Sequence, residues 1–255
     1  MYKTHCFLIY LFLSFTFIFT SKGQGQTTVT LATTKWCPYT CVNQDKNSNI
    51  IGRYVEKILL KHNIILNVET YPWSRAIKLA EQGQVDGLLT ATHSEAPSLN
   101  FTTTPISYFQ VCFYANKSVA WQYSQPIELQ DYILGVIQDY GYDENIDQYI
   151  AENSASEQII AMKGDDGSSR LLNMLIKKRV DIIVEDKLVL QWQAAKNNID
   201  LSEVSNVGCS TAHPFYLALN KSKASHQQII NLLNKEFSEP ENHLILKEIT
   251  AEGAK

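Results

Sequence analysis

The sequence predicts an α/β chain of two lobes, each a mostly parallel sheet flanked by helices, and three observations carry that prediction. Apolar runs with strand spacing alternate with runs of helical spacing along most of the chain, which is the pattern of βαβ units. The helix-to-strand junction Gly83-Gln84-Val85-Asp86-Gly87-Leu88-Leu89 is echoed by Lys178-Arg179-Val180-Asp181-Ile182-Ile183-Val184, as two similar lobes require. Between the halves lies Phe109-Gln110-Val111-Cys112-Phe113-Tyr114, a strand-like segment with no flexible linker, so a strand crossing from one lobe to the other would act as a hinge.

In the first half, Thr28–Thr33 reads as a strand that enters the loop Lys35-Trp36-Cys37-Pro38-Tyr39. Gly52 opens a helix whose apolar face is Tyr54, Val55, Ile58 and Leu59. Ile64–Thr70 alternates as a strand and ends at Tyr71-Pro72-Trp73. The helix from Ser74 turns Ala76, Ile77 and Ala80 inward and stops at Gly83, and Val85–Thr92 is the next strand. In the second half, strands are expected at Ile133–Ile137, Gln158–Met162 and Val180–Val184. Helices are expected at Asp143–Glu152, at about Gly167–Lys178 with Leu171, Leu172, Leu175 and Ile176 inward, and at Asp186–Lys196. A strand near Pro214–Leu219 and helices Ser225–Phe237 and Asn242–Ile249 close the chain.

The N-terminus places the chain in a compartment. Met1-Tyr2-Lys3-Thr4-His5 precedes an apolar run from Cys6 to Thr20, and Ser21–Gln26 is small and polar. This is the layout of a cleaved secretory signal over residues 1–25, with cleavage after Gly23 or Gly25. The run is shorter than the ~20 apolar residues that a membrane span needs. No cysteine follows it to carry a lipid and no second long apolar stretch occurs, so the mature chain is expected to be soluble and periplasmic.

A hydrophobic content of 45% with 19% charged residues is globular. The formal charge of −4 becomes more acidic once Lys3 and Lys22 leave with the signal, and nothing basic clusters. Nucleic acid is therefore not an expected partner. Four cysteines remain after the signal: Cys37, Cys41, Cys112 and Cys209. An even count in an oxidising compartment suggests disulfides, with three connectivities open. Cys37 and Cys41 bracket a tripeptide that could close a small ring if the backbone turns, which would leave Cys112 to pair with Cys209. The C-x₃-C spacing lacks a second Cys or His pair, and the six histidines are scattered, so neither metal nor cofactor is expected. G-x-S-x-G, H-E-x-x-H, P-loop and G-x-G-x-x-G motifs do not occur in the mature chain, so an enzyme is not the expected reading.

The order Trp36-x-Pro38-Tyr39, Gly52, Pro72-Trp73-x-Arg75-Ala76 and Gly83-x-Val85-Asp86 resembles the first lobe of the family 3 extracellular solute-binding proteins. Gly135-Val136-Ile137, the Tyr140-Gly141-Tyr142 loop, Arg179-Val180-Asp181 and Pro214-Phe215-Tyr216-Leu217-Ala218-Leu219 resemble the second lobe and the return to the first. The resemblance covers nearly the whole mature chain. It implies the two-lobe periplasmic binding protein fold, with lobe one at 26–110 and 212–255, lobe two at 111–211, and hinge strands between them. It also implies a monomer that captures a small polar solute in the cleft and presents it to the permease of an ABC importer.

Carried over residue by residue, the resemblance puts Trp36, Tyr39, Trp73, Ala91 and Thr92 on the cleft wall of lobe one. Lobe two would supply Asp139, Tyr140, Tyr142, Arg170, Glu185 and Asp186. Tyr39 can stack on a ligand or cap the core, and Trp73 is the more natural core residue. Arg75, in the first turn of its helix, opposes the helix dipole and so calls for a partner, either a ligand carboxylate or a core acid. Asp186 matches a position that grips a ligand ammonium, and Asp is also a good N-cap for the following helix. Asp86 and Asp181 read as structural. Amino-acid binders of this family carry an arginine a few residues past the lobe-one strand, to clamp the α-carboxylate. Here that stretch is Ala91-Thr92-His93-Ser94-Glu95-Ala96-Pro97-Ser98, without one, so ordinary α-amino acids are not the expected ligands unless Arg75 or Arg170 substitutes. The rival functions are a dehydratase-like enzyme on the same scaffold and a stand-alone ligand sensor.

Overall fold

The computed structural model describes residues 26–41, 49–124, 126–138, 140–164 and 166–253. The signal read over residues 1–25 and the expected site residue Asp139 lie outside the described residues.

The first sheet is built from β1 (Thr27–Thr33), β2 (Ile64–Thr70), β3 (Gly87–Ala91), β4 (Asn100–Phe101), β5 (Ser107–Phe109) and β11 (His213–Leu219). Its order is β2-β1-β3-β11-β4, with β5 also pairing with β11. The second holds β6 (Val111–Asn116), β7 (Leu134–Ile137), β8 (Ile159–Met162), β9 (Ile182–Asp186) and β10 (Val204–Cys209), in the order β10-β6-β9-β7-β8. The helices are α1 (Ile50–Leu60), α2 (Trp73–Glu81), α3 (Glu144–Asn153), α4 (Gly167–Ile176), α5 (Lys187–Lys196), α6 (Ala224–Ser238) and α7 (Pro240–Gly253), with a 3₁₀ turn at Pro126–Leu129.

Each sheet is mixed, where a mostly parallel one was expected. β2, β1 and β3 run parallel, as do β9, β7 and β8. β11 is antiparallel to β3, β4 and β5, and β6 is antiparallel to β9 and β10. The reason lies in connectivity. β6 and β11 each arrive directly from the other sheet, without the crossover helix that a parallel neighbour needs. The two passages are Gln110, between β5 and β6, and residues 210–212, between β10 and β11.

Period-two alternation splits the first sheet into two faces. Val29, Leu31, Leu89, Leu217 and Leu219 pack with α1, α6 and α7, while Ala32, Leu88 and Ala218 pack with Trp73, Ala76 and Ala80 of α2. The second sheet turns Phe113, Val136 and Val184 towards Ile146 and Tyr149 of α3, and Tyr114 and Ile183 towards α4 and α5. Gly87 lets β3 and β11 approach closely, because a Cβ there would lie 2.0 Å from the Ala218 carbonyl oxygen.

The echoed Val-Asp junctions have the same use in both sheets. Asp86 accepts a hydrogen bond from Thr30 N at 2.9 Å, and Asp181 accepts one from Ile133 N at 2.8 Å. The backbone reciprocates, with Asp86 N donating to Thr30 O and Asp181 N to Ile133 O. Each carboxylate thus fastens the end of a helix to the strand beside it. Disulfides join Cys37 to Cys41 and Cys112 to Cys209, at Cα–Cα distances of 5.0 and 4.0 Å. The first closes the turn after β1, and the second ties neighbouring strands β6 and β10. Among the described residues no helix is long and apolar enough to cross a membrane.

Candidate functional site

A cavity of about 60 Å³ lies between the two sheets. That is several times the ~10–15 Å³ that admits one water. It opens where β1, β3, β7 and β9 end, the position at which open α/β sheets bind ligands. The first sheet and its loops contribute Thr34, Trp36, Trp73, Thr90, Ala91, Thr92, Glu95, Phe109 and Phe215. The second contributes Val111, Tyr140, Gly141, Tyr142, Glu185 and Asp186.

The sheets meet around this space. The Tyr39 hydroxyl donates to Asp186 Oδ2 at 3.4 Å, and a Cβ on Gly141 would lie 3.0 Å from Glu95 Oε1. Nearby, His213 Nε2 at the start of β11 is 3.9 Å from Asp143 Oδ2, and Asp143 caps α3 by accepting from Ile146 N.

Three carboxylates stand on the wall, each held differently. Glu95 Oε1 accepts from Trp73 Nε1 at 2.7 Å, while its Oε2 accepts from Thr92 N at 2.7 Å and Thr92 Oγ1 at 2.9 Å. Asp186 ends β9 and caps α5, accepting from Leu188 N at 2.8 Å and Val189 N at 3.0 Å. It also accepts from Gln110 N at 2.9 Å, besides the Tyr39 hydroxyl. Glu185 accepts only from Ser168 Oγ and from Asp186 N among the described hydrogen bonds. A carboxylate offers about four acceptor sites. Asp186 has therefore spent its capacity on the protein, and Glu185 has about half of its own left.

Burial governs the protonation of these groups. Glu185 is pushed up to about 7 by desolvation, with the donors Ser168 and Asp186 N opposing the rise. Asp186 is also raised by burial, against its three backbone donors and Tyr39. Burial and the neighbouring Asp186 carboxylate raise the Tyr39 phenol well above its ordinary range, so it stays a donor. Tyr142 is raised likewise by burial, and its oxygen accepts from Ile137 N at 2.7 Å.

Of the residues expected at the site, Trp36, Trp73, Ala91, Thr92, Tyr140, Tyr142, Glu185 and Asp186 line the cavity. Tyr39 stands behind it, stacked on Trp36 with ring centroids 4.3 Å apart. Trp73 is both core and wall, buried in the α2 cluster while its indole N–H holds Glu95. Two expectations need correction. Arg75 points to solvent with its guanidinium 5.4 Å over the Tyr71 ring, because the buried stripe of α2 is Trp73, Ala76 and Ala80. Arg170 is exposed as well, 3.7 Å from Asp166 one turn earlier and donating to Lys163 O, because α4 buries Leu171, Leu172 and Leu175. Ser168, at the start of the same helix, is the residue that reaches the site. Glu95, Phe109 and Phe215 were not anticipated. Among the described lining residues there is no lysine or arginine, and among the described residues no cluster of His, Cys, Asp and Glu could hold a metal ion.

No protein-family model matches the chain, and no curated protein does. Solved structures do. An ancestral arginine-binding protein bound to arginine superposes with a TM-score of 0.68 at 16% identity, over 88% of this chain and 97% of that one. A histidine kinase sensor domain with similarity to periplasmic binding proteins gives 0.70 at 14% identity, over 89% and 95%. An ancestral amino-acid-binding protein, a precursor of cyclohexadienyl dehydratase, gives 0.65 at 16% identity, over 89% and 95%. The likeness is one of fold: this chain has the two-lobe fold of the periplasmic binding proteins.

Proposed function

We propose that this protein is an exported solute-binding protein that encloses a small polar solute between its lobes and delivers it to the permease of an ABC importer. The observation that carries the reading is the cavity, sited at the strand ends and walled by both sheets. A ligand touching both walls makes all of its contacts only when the lobes are together, so binding favours the closed arrangement. Among the described residues the chain passes between the sheets at Gln110 and at residues 210–212, and bending there would let the lobes part, as in hinge closure. The signal read over residues 1–25 and the two disulfides support a periplasmic location. Structural neighbours that hold arginine and glutamine support capture of a small polar molecule.

The test is native mass spectrometry of protein purified from the periplasm, followed by thermal melting with the released molecule added back. A retained small molecule that raises the melting midpoint is the expected result. A chain that carries nothing and responds to no solute would count against the reading.

One observation favours a second reading. A buried Glu185 whose proton leaves near neutrality, at about 7, suits a general acid or base. Conversion of the bound molecule during incubation, lost in Glu185→Gln, would select an enzyme over a carrier.

A further inference from the structure

We infer that the cavity takes a small organic cation that bears no carboxylate, an inference that rests on the solute-binding reading above and names its ligand class. Three carboxylates, Glu95, Glu185 and Asp186, share a wall on which no described residue is a lysine or arginine. None of the three belongs to an ion pair among the described residues. Glu185 and Asp186 are 3% and 4% exposed, so water does little to offset their charge. A buried carboxylate is costly unless paired, and with no ion pair to them among the described residues the cavity is the place for a counter-charge.

The rest of the lining fits the same ligand. Trp36, Trp73, Phe109, Tyr140, Tyr142 and Phe215 make the walls largely aromatic. Aromatic faces attract organic cations, and more strongly where water is excluded. The spare acceptor capacity on Glu185 gives such a cation a partner. Glu95 supplies a second, from the opposite sheet. A ligand carboxylate would meet like charge from three directions, with no cationic side chain of the described lining to receive it. Asp186, already saturated by four donors, positions the end of β9 and does not contact the ligand.

The experiment uses the full mature chain and matched pairs that differ at the carboxylate: choline against glycine betaine, and agmatine against arginine. Glycerol and succinate serve as neutral and anionic probes. Calorimetry should find choline or agmatine binding about tenfold or more tighter than its carboxylate twin. Glu185→Gln and Glu95→Gln should each weaken that cation by a similar factor. Glu185→Gln should do so without lowering the melting midpoint of the free protein, whereas Glu95→Gln also gives up an acceptor for Trp73 or Thr92 and should melt somewhat lower. Equal or tighter binding of the carboxylate twin, or unchanged cation affinity in both variants, overturns the inference and leaves the solute-binding reading intact. The same holds if glycerol or succinate binds and no cation does. Silence across the whole panel, with nothing retained in native mass spectrometry, overturns both.

Discussion

Tyr39 and Asp186 meet across the junction of the lobes, the phenol donating to Oδ2 at 3.4 Å. Tyr39 belongs to the turn after β1, whereas Asp186 ends β9, and 147 residues separate them. Asp186 keeps three backbone donors without the phenol. Tyr39→Phe should therefore reduce stability by only about 0.5–1.5 kcal/mol, the net worth of one hydrogen bond. Urea unfolding measures this. A loss several times larger would mean that the phenol holds more of the junction than this one bond.

Glu185 makes stability depend on pH. Its proton leaves at about 7 in the folded chain, against an ordinary value of 4.5. Between those values the folded state binds more protons than the unfolded one, so this group's contribution falls as pH rises. The size is of order 3 kcal/mol, from the shift in proton affinity. Glu185→Gln should gain stability relative to the unmodified chain on going from pH 5 to pH 8. Paired urea melts at the two pH values read the difference, and a constant gap between the proteins would refute the buried charge.

Ligand affinity should move the other way. A cation is bound best by ionised Glu185, so choline or agmatine should bind more weakly as pH falls through about 7. Calorimetry of the unmodified chain and Glu185→Gln at pH 6 and pH 8 checks this, with the pH dependence expected to be much weaker in the variant.

Arg75→Ala should leave ligand affinity unchanged. The guanidinium sits over Tyr71 on the solvent side of α2, where such a contact is worth about 0.5–1 kcal/mol. Melting should shift by no more than that, and a large loss of affinity would put Arg75 at the cavity after all.

The two disulfides should differ in weight. Cys112–Cys209 closes a loop with a sequence separation of 97, and Cys37–Cys41 one of only 4. Chain-entropy arguments give about 4–5 kcal/mol for the long loop and about 2 kcal/mol for the short one. Cys112→Ala with Cys209→Ala should thus cost clearly more than Cys37→Ala with Cys41→Ala in denaturant unfolding.

Periodicity made most of the fold legible. The helices and longer strands lie within a few residues of where spacing put them, because their buried stripes are continuous. β4, with two residues, and β5, with three, are too short to show alternation. β10 is interrupted by a register shift between Asn206 and Cys209, around Gly208 at φ 132°, so its alternation breaks.

The site was legible where it follows from strand ends, as at Ala91, Thr92, Glu185 and Asp186. Arg75, nominated by its place in the first turn of α2, and Arg170, carried over from the resemblance, were excluded by helical phase. With Leu171, Leu172 and Leu175 inward, Ser168 shares their stripe and Arg170 does not. Phe109, opposite His213, and Phe215, opposite Ser107, meet diagonally across β5 and β11, a relation that only the folded sheet creates.

The place of β11 in the first sheet also sets an order of events. It lies between β3 and β4, with Leu219 opposite Gly87. Every strand of the second sheet comes before it in the chain. As the polypeptide emerges N-terminus first, the first lobe must wait half-built while the second completes itself from contiguous chain. During that wait β3, buried along its whole length in the finished protein, presents an unpaired and apolar edge. Such long-range pairing is slow to form. The last strand to arrive therefore governs how long the newly made chain stays vulnerable to aggregation.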